Sequence, residues 1–198
     1  MIRRHLIGGW VAGAALLLAG CGSPTPPPFQ ATDITGADFG KELRLTGHDG
    51  KARTLADFRG KAVVLFFGFA HCPDVCPTTL SKLGAVMKSL GADGAKVQVV
   101  LVTVDPARDT PEILRQYVAA FDPSFLGLTG SADDIARTTK EFRVIAEKQP
   151  GASPDTYTVD HSSGLYVFDP QGRIRLFIPG NQAATAIAQD LKRLIDGA

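Results

Sequence analysis

Several things are scarce in this chain. Only three of its 198 residues are cysteine and only four are histidine, so no dense disulfide framework supports it. Net charge is nearly absent: the formal value is +1, from 21 basic and 20 acidic residues. No basic run or patch suggests nucleic acid as a partner. No internal repeat is present, which excludes solenoids and propellers. The apolar run from Leu6 to Leu18 is shorter than the roughly 20 residues a spanning helix needs, so an uncleaved anchor is only an alternative reading of it.

What that run does fit is export. Arg3 and Arg4 make a positive start, the apolar stretch follows, and small residues close it, so residues 1–20 read as a signal peptide. The closing Leu18-Ala19-Gly20-Cys21 resembles the bacterial lipobox, which implies acylation of Cys21 as the mature N-terminus; a plain signal peptide is the alternative. Several acyl chains would hold the protein on a membrane more firmly than a single chain can. Pro24, Pro26, Pro27 and Pro28 make residues 21–31 a semi-rigid, extended tether. Residues 32–198 then form one domain, large enough to bury its own core. With Arg3 and Arg4 set aside, 19 of the 21 basic residues face the 20 acidic ones.

The domain alternates. Residues 41–55 read as a hairpin around Asp49-Gly50. Ala62 to Phe69 and Val97 to Val104 are apolar without alternation, as expected of strands buried on both faces. Between them, Leu80, Leu83, Val86, Met87 and Leu90 recur at helical spacing, with Pro77 in the first turn. Thr110-Pro111 opens a second helix to about Phe121, Phe125 to Leu128 is a short strand, and Ser131 caps a third helix with Asp134 as a capping partner. Val144 to Thr158 reads as an extended excursion. Leu165 to Phe168 and Ile174 to Ile178 pair across the turn at residues 169–172, and a last helix spans about Ala183 to Ile195. This order predicts an α/β fold of thioredoxin-like outline, with an N-terminal hairpin and an inserted extended segment.

The chemistry gathers in His71-Cys72-Pro73-Asp74-Val75-Cys76-Pro77, at the C-terminal end of a buried strand, where α/β sheets collect their sites. Cys72 and Cys76 close too small a loop to stabilise the fold by crosslinking, so the pair is chemical rather than structural. A helix start favours thiolate at either sulfur. Two thiolates and an imidazole would make a soft-metal site. His5 lies in the signal, and His48, beside a turn, is expected on the solvated surface. His71 is directed away from Cys72 if the strand continues. His161, in a loop before the Leu165 strand, can face the cysteines. The spacing leaves His71 and His161 both open as a third ligand. Asp160 either orients His161 or caps its turn. Asp105, Arg108 and Asp109 read as a loop brace, or else as a docking site for a partner. Phe66, Phe67 and Phe69 are core or rim, and Pro73 and Asp74 shape the loop. A peroxidase is disfavoured, because Phe69 and Pro73 stand where a Thr-x-x-Cys motif needs threonine.

Four segments, in order, are similar to the Sco/SenC family of copper chaperones: residues 68–77 with Cys-Pro-Asp-Val-Cys-Pro, residues 103–111, Tyr157 to Ser162 with Asp160-His161-Ser162, and Tyr166 to Gly172. The resemblance implies copper, as Cu(I) or Cu(II), on Cys72, Cys76 and His161, and its delivery to the CuA centre of cytochrome c oxidase. It implies as partners the oxidase subunit that carries CuA and a periplasmic copper donor. The expected location is the periplasmic face of a membrane, held by lipid on Cys21, where many relatives use a transmembrane helix. No enzymatic turnover is expected. The rival reading is a thiol–disulfide oxidoreductase that needs only Cys72 and Cys76; a third is an interaction module whose cysteines form an inert clip.

Overall fold

The computed structural model describes residues 28–151 and 156–198. The expected signal peptide, Cys21, residues 22–27 of the tether and residues 152–155 of the excursion lie outside them. Among the described residues no helix is long and apolar enough to cross a membrane. In chain order the elements are β1 (Thr32–Asp33), β2 (Arg44–Gly47), β3 (Ala52–Thr54), β4 (Ala62–Gly68), α1 (Val75–Leu90), β5 (Val97–Thr103), α2 (Pro111–Ala119), β6 (Leu126–Thr129), α3 (Ala132–Glu141), β7 (Ala146–Gln149), β8 (Thr158–His161), β9 (Leu165–Phe168), β10 (Ile174–Ile178) and α4 (Ala184–Ile195).

Eight strands form one sheet in the order β1-β10-β9-β4-β5-β6-β2-β3. At its centre β4, β5 and β6 run parallel, joined by helical crossovers. Every residue of β4 is buried, which is why its sequence shows no polar alternation. Strand β9 lies antiparallel on the other side of β4, so the C-terminal hairpin β9–β10 widens the sheet at one end and β2–β3 closes it at the other. Thr110 caps α2 by accepting from the Ile113 N–H, and Ser131 caps α3 with Asp134 returning the bond to its backbone, as the sequence predicts. On the core side, Phe67, Phe142 and Tyr166 meet edge to face or tilted, and the Tyr166 hydroxyl donates to the Phe142 carbonyl at 2.7 Å. That bond satisfies the phenol, the one polar group the cluster buries.

Several expectations change. The extended excursion holds a strand, β7, which pairs antiparallel with β8 as a separate two-stranded sheet, Ala146 opposite His161. His161 therefore ends a strand instead of sitting in a loop. The short β1, which pairs with β10, has too few residues to show a period. His48 is only partly solvated: it is half-buried, its Nδ1 accepts from the Gly127 N–H at 3.1 Å, and burial pushes its pKa down. The last residues of the tether are already docked. The Gln30 and Ala31 N–H groups both donate to the buried Asp190 carboxylate of α4, the latter at 2.8 Å.

Candidate metal centre

Strand β4 delivers the cysteines. It ends at Gly68, the chain turns through Phe69 to Asp74, and α1 begins at Val75. The Cys72 N–H donates to the Phe69 carbonyl at 3.2 Å, which folds the turn back over the strand end. Cys72 is half-buried, whereas Cys76, in the first turn of α1, is fully buried. The sulfur of Cys76 occupies the space above Gly68: a Cβ built there would lie 2.8 Å from it, so only glycine lets helix and strand approach this closely. The Cys76 N–H, free at the helix start, points at the Cys72 sulfur from 3.5 Å.

Strand β8 delivers the imidazole. His161 Nδ1 lies 3.0 Å from the Ser162 carbonyl, which can only accept, so Nδ1 carries the proton and Nε2 presents a lone pair. Nε2 faces the Cys76 sulfur at 3.4 Å. The orienting group is thus the Ser162 backbone, and the expected Asp160 alternative does not hold: Asp160 is exposed. Phe66 and Phe69 stand edge-on to the imidazole, with ring centroids 6.1 and 5.8 Å away. Burial pushes the His161 pKa down, so at neutral pH the ring is the neutral base that a metal requires. Burial acts on Cys76 in the opposite sense to a helix start and pushes its thiol pKa well up. The expectation of a lowered value therefore fails at this cysteine.

The donor atoms of Cys72, Cys76 and His161 all lie within 4.8 Å of one another, and among the described residues no other group of three or more such side chains converges this way. A shared ion at donor distances of about 2.0–2.3 Å would draw them together by no more than about an ångström. Two soft sulfurs and a neutral imidazole suit a soft metal of low coordination number. His71 does not join them: its Nδ1 lies 3.6 Å from a carboxylate oxygen of Asp109.

Beneath the site, the loop after β5 is braced. The buried Asp109 carboxylate accepts from the Thr103 hydroxyl at 2.7 Å and from the Ala70 N–H at 3.0 Å, two residues before Cys72. Burial raises its pKa. Asp105, also fully buried, takes the Arg108 guanidinium and the Tyr157 hydroxyl. Sequence spacing did not mark Tyr157 or Gly68, because their roles rest on contacts across the fold. It also missed Tyr117, whose buried hydroxyl has no hydrogen-bond partner among the described residues. Burial, then the nearby Cys76, Cys72 and Asp109, push that phenol's pKa up.

A family model described as SCO1/SenC matches residues 31–196. The human protein named mitochondrial SCO2 homolog is 40% identical over 154 residues, covering 77% of this chain, which in turn spans 58% of the human protein's length. Among solved structures, Bradyrhizobium japonicum ScoI with copper bound is 38% identical and superposes with a TM-score of 0.73, over 79% of this chain and 99% of that one. A SCO1/SenC family lipoprotein from Bacillus anthracis is 28% identical with a TM-score of 0.71, over 84% and 99%. These likenesses make the α/β fold thioredoxin-like, with the additions described above.

Proposed function

The chain belongs to the SCO1/SenC family, and on that premise we propose that it binds copper through Cys72, Cys76 and His161 and delivers it to the CuA centre of cytochrome c oxidase during assembly. The observation that carries the reading is the convergence of two thiols and one imidazole within 4.8 Å on a scaffold similar to a copper-bound relative. Structural zinc takes four protein ligands, and three are present. Copper loads onto the reduced pair and displaces thiol protons. Oxidation of Cys72 and Cys76 to a disulfide removes both sulfur ligands, so redox state gates loading and release. Cys72 is the more accessible sulfur, so an incoming acceptor ligand displaces it first, while Cys76 and His161 keep hold from inside.

The partners in this reading are the oxidase subunit that carries CuA and a periplasmic copper donor. The place is the periplasmic face of a membrane, with lipid on Cys21 as the anchor; the Leu18-Ala19-Gly20-Cys21 sequence and the Bacillus anthracis lipoprotein support it. The residues expected to form the signal peptide (1–20), tether (21–31) and copper domain (32–198) complete this organisation. The nearby pair of free thiols also supports a second reading, thiol–disulfide exchange on the oxidase subunit's cysteines.

One experiment separates the two. The reduced, copper-loaded protein is mixed with a copper-free oxidase subunit whose CuA cysteines are reduced. Delivery predicts that copper leaves this protein and that the CuA absorption appears once a one-electron oxidant such as ferricyanide is added to oxidise the filled two-copper centre. In a parallel mixture, copper-free protein meets the same subunit with its cysteines oxidised. Reduction of that disulfide without copper transfer in the first mixture overturns delivery in favour of exchange.

A further inference from the structure

The motif Asp105-Pro106-Ala107-Arg108-Asp109 holds no metal ligand, yet its side chains touch both halves of the centre. We infer that Arg108 is the positioning residue for His161, reaching it through Tyr157 and Phe69, an inference that rests on the copper-site reading above.

The β7–β8 hairpin that carries His161 is not part of the eight-stranded sheet. Its sequence is mostly polar and exposed, with Val159 as its buried residue. Such an element has little packing of its own to fix it against the cysteine loop. Arg108 supplies fixed contacts. Its Nη1 donates to the Tyr157 carbonyl at 3.0 Å, just before β8 begins. Its guanidinium lies 3.7 Å from the centroid of the Tyr157 ring, and the Tyr157 hydroxyl donates to Asp105 at 2.8 Å. Asp105 in turn holds Arg108, which is four-fifths buried, so the cation is fixed in place. The guanidinium also sits 5.8 Å from the Phe69 ring centroid, and Phe69 stands edge-on to the His161 imidazole. Tyr157, Arg108, Phe69 and His161 thus form one chain of contacts, face-on at Tyr157 and edge-on at His161. A planar fork that bonds a carbonyl, pairs with a carboxylate and lies against an aromatic ring is a role lysine does not reproduce.

Asp109 completes the link from the same loop by holding the Ala70 N–H ahead of Cys72. The Cys–His separation is therefore set by a brace that contacts no metal. Groups that orient metal ligands from outside typically change metal affinity about 10- to 100-fold when removed.

The test is a double-mutant cycle on the reduced full chain, read by Cu(I) competition titration in wild type, Arg108→Met, His161→Ala and the double variant. The expected result is a loss of about tenfold or more in affinity for Arg108→Met. In the His161→Ala background the same substitution adds less than about twofold, because the ligand it positions is gone. Arg108→Lys restores little of the loss. A role limited to general stability lowers affinity equally in both backgrounds, and that overturns the inference. So does an Arg108→Met protein that binds copper like wild type while His161→Ala binds it weakly; in that case the copper site stands and only the positioning role falls. If His161→Ala binds like wild type, the copper-site reading fails first. Should Arg108→Met not fold, Tyr157→Leu removes the ring that the guanidinium lies against; unchanged copper affinity there, in a correctly folded protein, also overturns the inference.

Discussion

Cys76 must lose a proton to bind a metal, yet it sits where burial holds that proton on. Copper has to displace it. Since the His161 ring is already neutral near pH 7, the pH dependence of loading comes from the thiols. The expected outcome is an apparent Cu(I) affinity that rises between pH 7 and 9 by about one log unit per pH unit for each thiol proton released. A competition titration repeated across that range checks it, and a flat profile contradicts it. Gly68 is the other residue on which the site depends. Gly68→Ala would place a methyl group 2.8 Å from the Cys76 sulfur and an equal distance from the Phe66 ring. Overpacking of this kind costs about 1–3 kcal/mol. The variant is expected to lower the thermal midpoint and to weaken copper binding together. A stable variant with native copper affinity would mean that the strand and helix have room to separate.

At the scale of elements, two strand ends, one helix start and one loop make the site: β4 and α1 bring sulfur, β8 brings nitrogen, and the loop after β5 ties them. Asp109→Ala tests that loop. It leaves the Thr103 hydroxyl and the Ala70 N–H without their acceptor in a buried setting. Each orphaned donor costs about 1–3 kcal/mol, so unfolding by denaturant is expected to show a loss of several kcal/mol. Asp109→Asn keeps an acceptor oxygen and is expected to lose less; equal losses would contradict the assigned bonds. This is also the scale at which sequence is most and least legible. The all-apolar β4, the largely apolar β5, the Thr110 and Ser131 caps and the Asp49-Gly50 hairpin are local signals, and each appears where predicted. The β7–β8 hairpin is not legible. Ala146-Glu147-Lys148-Gln149 has neither apolar alternation nor turn residues, because the hairpin stands off the core and buries little. Its strand character comes from cross-strand pairing alone, as does the placing of His161 at a strand end.

For the whole molecule, the parallel core and its antiparallel flanks follow from the alternation of elements, whereas the placing of β9 beside β4 does not. Nor does any spacing single out His161 over His71 as the third ligand. Strand direction turns His71 away, but only the resemblance assigns His161, because the approach of Cys76 and His161 joins residues 85 positions apart. Burial of His161 also reaches global stability. Its folded pKa lies below the ordinary 6.5, and that of His48 is lowered in the same sense. As pH falls below 6.5, the unfolded chain takes up protons that the folded chain refuses. The copper-free protein therefore loses stability from about pH 6.5 downward until the lowered folded values are reached, and these groups contribute no slope above that. Denaturant unfolding of wild type and His161→Gln across pH 4.5–8 checks it; the variant is expected to show a shallower acid loss, and an identical profile would contradict a buried neutral imidazole.

The central claim is that copper is held by two thiolates and His161. Its most direct test is a Cu(I) competition titration of the reduced protein beside His161→Ala. The expected result is one tightly bound copper per chain, weakened about tenfold or more in the variant. Weak binding by both proteins, or equal binding by both, would contradict it.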